Sequence, residues 1–141
     1  MKLMGVDVGT TGVKAAVFDL EGNMLGYGFQ EYDVVCKKSG LAGQDAELVW
    51  KRAKGVMAAA AEQSGGDIAA VSVSAQGDAV IPIDRRRNAL GSAHLGMDYR
   101  ATRETEDISA SLGGRHIFDL TGMRPHPMNF VVKIMWIVRN Q

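Results

Sequence analysis

Cysteine is nearly absent from this chain of 141 residues. Cys36 stands alone, so no internal disulfide can staple the fold, and a reducing compartment suits it. Surplus charge is missing too. Lysine plus arginine, 16 residues, equals aspartate plus glutamate, also 16. That balance excludes partners recognised by bulk positive charge, such as nucleic acid or an anionic membrane surface. No apolar run approaches the ~20 residues of a membrane-spanning helix. Met1-Lys2-Leu3-Met4 is too short for the apolar part of a secretory leader, and Asp7 interrupts it. The expected location is therefore cytoplasmic. The three histidines, His94, His116 and His126, have no metal-ligand spacing and are expected in loops. Internal repeats and low-complexity segments are also missing. The length suffices for one domain with its own core.

What is present begins with Gly5-Val6-Asp7-Val8-Gly9-Thr10-Thr11-Gly12-Val13-Lys14. Lys2 to Val8 and Val13 to Phe18 read as two strands joined by a four-residue bend, Gly9 to Gly12. The glycines are expected to supply the positive φ of a hairpin turn and to let backbone N–H groups approach an anion. Thr10 and Thr11 can donate to phosphate oxygens, and Lys14 adds a compact positive charge. Asp7, at the strand end, can hold Mg²⁺ through water, because Mg²⁺ keeps most of its waters and takes few carboxylates. An ordinary glycine-rich hairpin is the plain alternative. A strand ending in Asp before Gly-Thr-Thr favours phosphate binding.

Alternation at Leu25, Tyr27 and Phe29 predicts a third strand over 24–32, after a turn at Gly22-Asn23. The first three strands then form an antiparallel meander. Residues 39–44 read as loop. Asp45 is a helix N-cap, and Val49, Ala53, Val56, Met57 and Ala60 share a helical face that ends at Ser64-Gly65-Gly66. A strand is expected over 68–75, with Val71, Val73 and Ala75 on one face, and another over 79–83. Asp84 to Asn88 is a basic hairpin tip. Helices follow over 101–112, ended by Gly113-Gly114, and over 117–121. A last helix opens near Pro127, with Val131, Ile134, Met135 and Val138 on one face. That helix is apolar nearly all round, which implies burial on several sides, so the chain reads as a piece of a longer protein.

Two further segments carry chemistry. Gln76-Gly77-Asp78 follows a buried strand, where ligands gather in open α/β sheets, and an amide with a carboxylate matches neighbouring hydroxyls of a sugar or polyol. It can equally be a plain β-turn. In the segment 94–101, the residues by themselves read Asp98 as the cap of the following helix and Arg100 as a surface ion-pair partner. Ser72 and Ser74 lack a nucleophile-elbow context.

The loop Asp7-Val8-Gly9-Thr10-Thr11-Gly12-Val13-Lys14 resembles the first phosphate loop of the actin-like ATPases, and with Ala15 to Asp19 it looks most like the FGGY carbohydrate kinases. Gln76-Gly77-Asp78 stands where that family has its Gln-containing substrate turn. It departs from the xylulokinase form Gln-Met-His-Gly and the glycerol kinase form Gln-Arg-Glu. Gly96-Met97-Asp98-Tyr99-Arg100 resembles the family's Trp-x-Asp-x-Arg run, with Gly96 in place of Trp. Thr121-Gly122 and Lys133-Ile134-Met135-Trp136 resemble its Thr-Gly segment and Lys-x-x-Trp helix.

The resemblance implies an α/β, ribonuclease-H-like (actin-like ATPase) domain over 1–141, the N-terminal domain of a longer two-domain kinase. It implies ATP and Mg²⁺ as cofactors, with Gly9, Thr10, Thr11 and Lys14 on phosphate and Asp7 on the metal. Gln76, Gly77, Asp78, Asp98 and Arg100 would face a ketose or polyol. The expected partners are that sugar, the C-terminal domain of the same chain and a possible second copy in a homodimer. The general base, the second phosphate loop and the adenosine turn are expected beyond Gln141, and the piece alone is expected to be inactive. Two other readings stand. An ATPase that activates another enzyme would carry paired cysteines for an iron–sulfur cluster, against the lone Cys36. A non-catalytic module of the same fold would have no need of Asp7, Thr10, Thr11 and Lys14 together.

Overall fold

The computed structural model describes residues 1–38 and 40–141, with the backbone alone at 36–38. Two compact units divide them: Met1–Val34 with Asp45–Gln76, and Val35–Gln44 with Gly77–Gln141. In chain order the elements are β1 (Lys2–Val8), β2 (Gly12–Phe18), β3 (Met24–Glu31), β4 (Val35–Lys38), β5 (Leu41–Gln44), α1 (Ala46–Gln63), β6 (Ile68–Ala75), β7 (Ala93–His94), α2 (Thr102–Leu112), α3 (Gly114–Thr121) and α4 (Phe130–Asn140).

In the first unit the sheet order is β3-β2-β1-β6. The three leading strands form the expected antiparallel meander, and β6 runs parallel to β1. Alternation sends Met4, Val6, Val13, Ala15 and Val17 into a core with Ala53, Val56 and Ala60 of α1. The helix begins at the predicted cap: the Asp45 carboxylate accepts from the N–H groups of Glu47 and Leu48 at 3.0 and 3.1 Å. At its far end the Lys2 ammonium donates to the carbonyls of Ser64 (2.6 Å) and Gly66 (3.0 Å), a cation on the negative pole of the helix. Helix and sheet approach so closely that a Cβ on Gly28 would lie 2.6 Å from the Val56 carbonyl oxygen.

Val71 and Val73 share a face as predicted, yet they are exposed. They lie on the edge strand β6, whereas α1 packs on β1, β2 and β3.

The second unit holds the sheet β4-β5-β7 and helices α2 to α4. Of the stretch expected as loop, Ser39 lies outside the described residues, while 41–44 is strand β5. Its small, polar residues have low strand propensity, and pairing with β4 and β7 overrides it. The strand expected over 79–83 is reduced to isolated bridges, Val80 with His94 and Ile83 with Ala89. Pro82 between them has no N–H to give a ladder. The Asp84 to Asn88 tip forms as predicted: the Asp84 carboxylate accepts from the Arg86 and Asn88 N–H groups.

Gly113, at φ +81°, ends α2, but Gly114 already opens α3, so the third helix starts earlier than expected. The last helix starts at Phe130, with Pro127 lying before its cap Asn129. Its buried residues are Val132 and Lys133; Val131, Ile134 and Val138 of the expected apolar face are exposed.

Candidate functional site

In the first unit, strand alternation sets Asp7 on the sheet face opposite α1. Lys14 is its direct cross-strand partner on β2 and Ser74 its partner on β6. A shallow groove of about 360 Å³ opens there, with Gly5, Asp7, Lys14, Tyr27, Ser72 and Ser74 on its walls. Among the described residues Asp7 and Lys14 form no ion pair, although they face each other across the ladder; Lys14 lies 5.9 Å from the centre of the Phe29 ring.

The Gly9 to Gly12 bend is closed by the Gly9 N–H donating to the Gly12 carbonyl at 3.0 Å. Neither glycine has positive φ, which corrects the expectation from the sequence. They serve space instead: a Cβ on Gly12 would lie 2.8 Å from the Phe29 ring, and one on Gly9 3.2 Å from the Gly12 oxygen. Tyr32 braces the bend, its hydroxyl donating to the Gly9 carbonyl at 2.8 Å and its N–H to the Thr11 carbonyl at 3.1 Å. Burial and the nearby Asp7 charge both push the Tyr32 phenol above its ordinary pKa, so it remains a donor. Thr10 Oγ1 lies 3.3 Å from Gln76 Oε1, and the Gln76 N–H donates to the Val8 carbonyl at 3.0 Å. Gln76 is thereby tied to the loop.

Among the described residues no cluster of three metal-ligating side chains occurs. A lone exposed carboxylate beside a phosphate-type loop fits Mg²⁺, which is held by one or two carboxylates, waters and substrate phosphates rather than by an all-protein cage.

In the second unit Asp78 adopts the left-handed region at φ 57°. Its Oδ1 accepts from the Phe130 N–H at 3.0 Å, and its carbonyl accepts from the Lys133 ammonium at 2.7 Å. Gly77 beside it is exposed. Asp98 is not the cap of α2; that position belongs to Ala101, which makes no side-chain cap bond. Asp98 is fully buried, and both its oxygens are occupied. They accept from the Ala42 N–H, the Arg100 N–H, and the Arg100 Nε and Nη2, all at 2.8 to 3.0 Å. Burial pushes this carboxyl up, but the Arg100 fork and the backbone donors outweigh it and hold it below the ordinary range.

Arg100 is no surface residue. Its side chain is 15% exposed, it stacks over Trp136 at 4.9 Å, and its Nη1 lies 2.9 Å from His94 Nε2. His94, expected in a loop, sits in β7 at 2% exposure, and His116 lies in α3; His126 is in a loop as expected. Burial first, then the Arg100 charge, lowers the His94 pKa.

Tyr32, His94, Lys133 and Trp136 were not marked as site residues by sequence reasoning. Tyr32 carries a signal, an aromatic with a polar tip just past β3. The placement of the other three depends on pairing of β7 and docking of α4, which no local pattern announces.

The family model described as the N-terminal domain of the FGGY family of carbohydrate kinases matches residues 2–141. A glycerol kinase of Trichlorobacter lovleyi is 29% identical over 141 residues, which cover 96% of this chain and 28% of that protein. A probable L-xylulose kinase of Haemophilus influenzae is 32% identical over 101 residues, 70% of this chain and 21% of the relative. The crystal structure of a gluconate kinase from Lactobacillus acidophilus matches with TM-score 0.88 and 26% identity, over 99% of this chain and 28% of that one. The chain thus spans roughly a quarter of the length of its curated relatives.

Proposed function

The chain belongs to the FGGY family of carbohydrate kinases, which have the actin-like α/β fold read from its sequence, and from that premise we propose that it is the N-terminal domain of an ATP-dependent kinase acting on a ketose or polyol. The observation that carries this reading is the Asp7–Lys14 cross-strand pair on the uncovered sheet face, beside the braced Gly9 to Gly12 bend.

Gly9, without a side chain, leaves the phosphates room beside the bend, the Thr10 and Thr11 hydroxyls donate to the phosphate oxygens of ATP, and Lys14 supplies positive charge to them. Asp7 would hold Mg²⁺ through water, and that ion, when bound, neutralises charge on the phosphoryl oxygens. The Tyr32-braced bend keeps its threonines in place before ligand arrives, so that little reorganisation is needed as charge moves.

On the sugar side, Asp78 keeps Oδ2 for a hydroxyl while Oδ1 is occupied by α4. Gly77 gives a hydroxyl-rich substrate room beside it. Asp98 acts through Arg100: it orients the guanidinium, whose remaining N–H donors serve the sugar. The base that takes the proton of the attacking hydroxyl is expected beyond Gln141. No helix among the described residues is long and apolar enough to cross a membrane, and a cytoplasmic setting with sugar, nucleotide and the rest of the same chain as partners belongs to this reading.

The test is ATP consumption by the full-length protein over a panel of ketoses, polyols and sugar acids, with the phosphorylated product identified by mass. Turnover that requires one ketose or polyol is expected. ATP hydrolysis indifferent to every sugar would favour the activator-ATPase reading instead.

A further inference from the structure

Lys133 has the most unusual position of any charged side chain described here. It is fully buried on α4, and its ammonium reaches the backbone carbonyl of Asp78 at 2.7 Å. Three residues earlier on the same helix, the Phe130 N–H donates to the Asp78 carboxylate at 3.0 Å. One residue is therefore held at both its backbone and its side chain by the first turn of one helix. The i, i+3 spacing puts both groups on neighbouring parts of the helix surface. Asp78 itself sits at φ 57°, a conformation that a non-glycine residue keeps only when its surroundings hold it.

A lysine at this depth needs a reason. Burying an ammonium costs more than the burial of its methylenes returns unless the charge is paired. Burial lowers the Lys133 pKa, the Asp78 and Asp98 charges raise it, and Arg100 lowers it again. A methionine would fill the same volume without that cost, so packing alone does not account for the residue.

We infer that Lys133 is a positioning residue: with the Phe130 N–H it clamps Asp78 in its left-handed conformation, leaving carboxylate oxygen Oδ2 presented to a sugar hydroxyl. This rests on the reading of Asp78 as a sugar contact. The clamp serves ground-state binding of the sugar and has no part in holding nucleotide.

The test uses the full-length kinase with glycerol and D-xylulose as probes at saturating Mg-ATP. Lys133→Met should raise sugar KM by about tenfold, the size expected for losing a hydrogen bond to a charged group, with kcat changed by less than about threefold and ATP KM unmoved. In an Asp78→Ala background the same substitution should add less than about twofold, because the clamp then has nothing to present. A single variant with sugar KM within about twofold of wild type overturns the inference, and so do effects that multiply in the double variant.

Amide hydrogen exchange separates this from failure of the sugar reading. Lys133→Met and Asp78→Ala should each speed exchange in the peptide covering 129–133 and leave α1 unchanged. If wild type phosphorylates neither probe, that exchange result decides the clamp by itself: acceleration in both variants supports it, and unchanged exchange overturns it.

Discussion

At the scale of single side chains, burial decides what His94 can do. Its imidazole is 2% exposed, Nε2 faces the Arg100 guanidinium, and Nδ1 has no partner among the described residues. Nε2 next to a permanent donor acts as acceptor, so the folded state holds the neutral ring with its proton on Nδ1. Asp98 and Lys133 face the same cluster: the Asp98 charge favours protonation, the Lys133 charge opposes it, and burial with Arg100 prevails. The sign follows. The folded pKa lies below the ordinary value of 6.5, so the unfolded chain binds the extra proton first. His94 therefore contributes stability that is present above that value and is lost as pH falls toward the folded pKa. Thermal unfolding of the chain should show Tm falling between about pH 7 and pH 5, and His94→Gln should flatten that fall. Equal Tm at both ends of the window, or an unchanged slope in the variant, would contradict it.

At the scale of elements, α1 shows how far local signals reach. Asp45 accepts two N–H groups at the start of the helix, and its deletion leaves both unsatisfied. Asp45→Ala should cost about 1 kcal/mol of unfolding free energy in urea titration, with an unchanged m-value. A loss below about 0.2 kcal/mol would mean that water replaces the cap at no cost.

The same helix was legible in advance because cap, apolar face and glycine stop all agreed. The meander was legible for a similar reason on β1 and β2, where Met4, Val6, Val13, Ala15 and Val17 alternate into the core; on β3 the alternation of Leu25, Tyr27 and Phe29 marked the strand, but Gly26 and Gly28 take its buried face while Tyr27 and Phe29 are exposed. Elements of the second unit were harder to read. β5 is built from Leu41-Ala42-Gly43-Gln44, and β7 from two residues, so neither has enough length to show a period. Asp98 was read as cap or sugar contact, and both readings missed the Ala42 N–H, which comes from 56 positions away in sequence. The buried face of α4 was misjudged because an apolar helix offers no polar side to orient it, and its one buried cation was hidden among hydrophobic neighbours.

For the whole molecule, the two units carry different candidate chemistry. Asp7, the Gly9 to Gly12 bend and Lys14 belong to the first, which also holds Gln76 of the sugar candidates; Gly77, Asp78, Asp98 and Arg100 belong to the second. The fold and the Gly9 to Gly12 bend were visible in the sequence because the bend is contiguous. The second cluster was visible only as separate residues, since tertiary pairing assembles it. The central claim is this division into a phosphate side and a sugar side. It is tested most directly by steady-state kinetics of Asp7→Asn and Asp78→Ala in the full-length protein, with sugar varied at saturating Mg-ATP. Asp7→Asn should lower kcat by about 10²–10³ with little change in sugar KM, because the Mg²⁺ it is proposed to place stands against the phosphoryl group whose charge shifts in the transition state. Asp78→Ala should raise sugar KM with a smaller effect on kcat. An Asp7→Asn variant altered only in sugar KM, or an Asp78→Ala variant with sugar KM unchanged, would contradict the account.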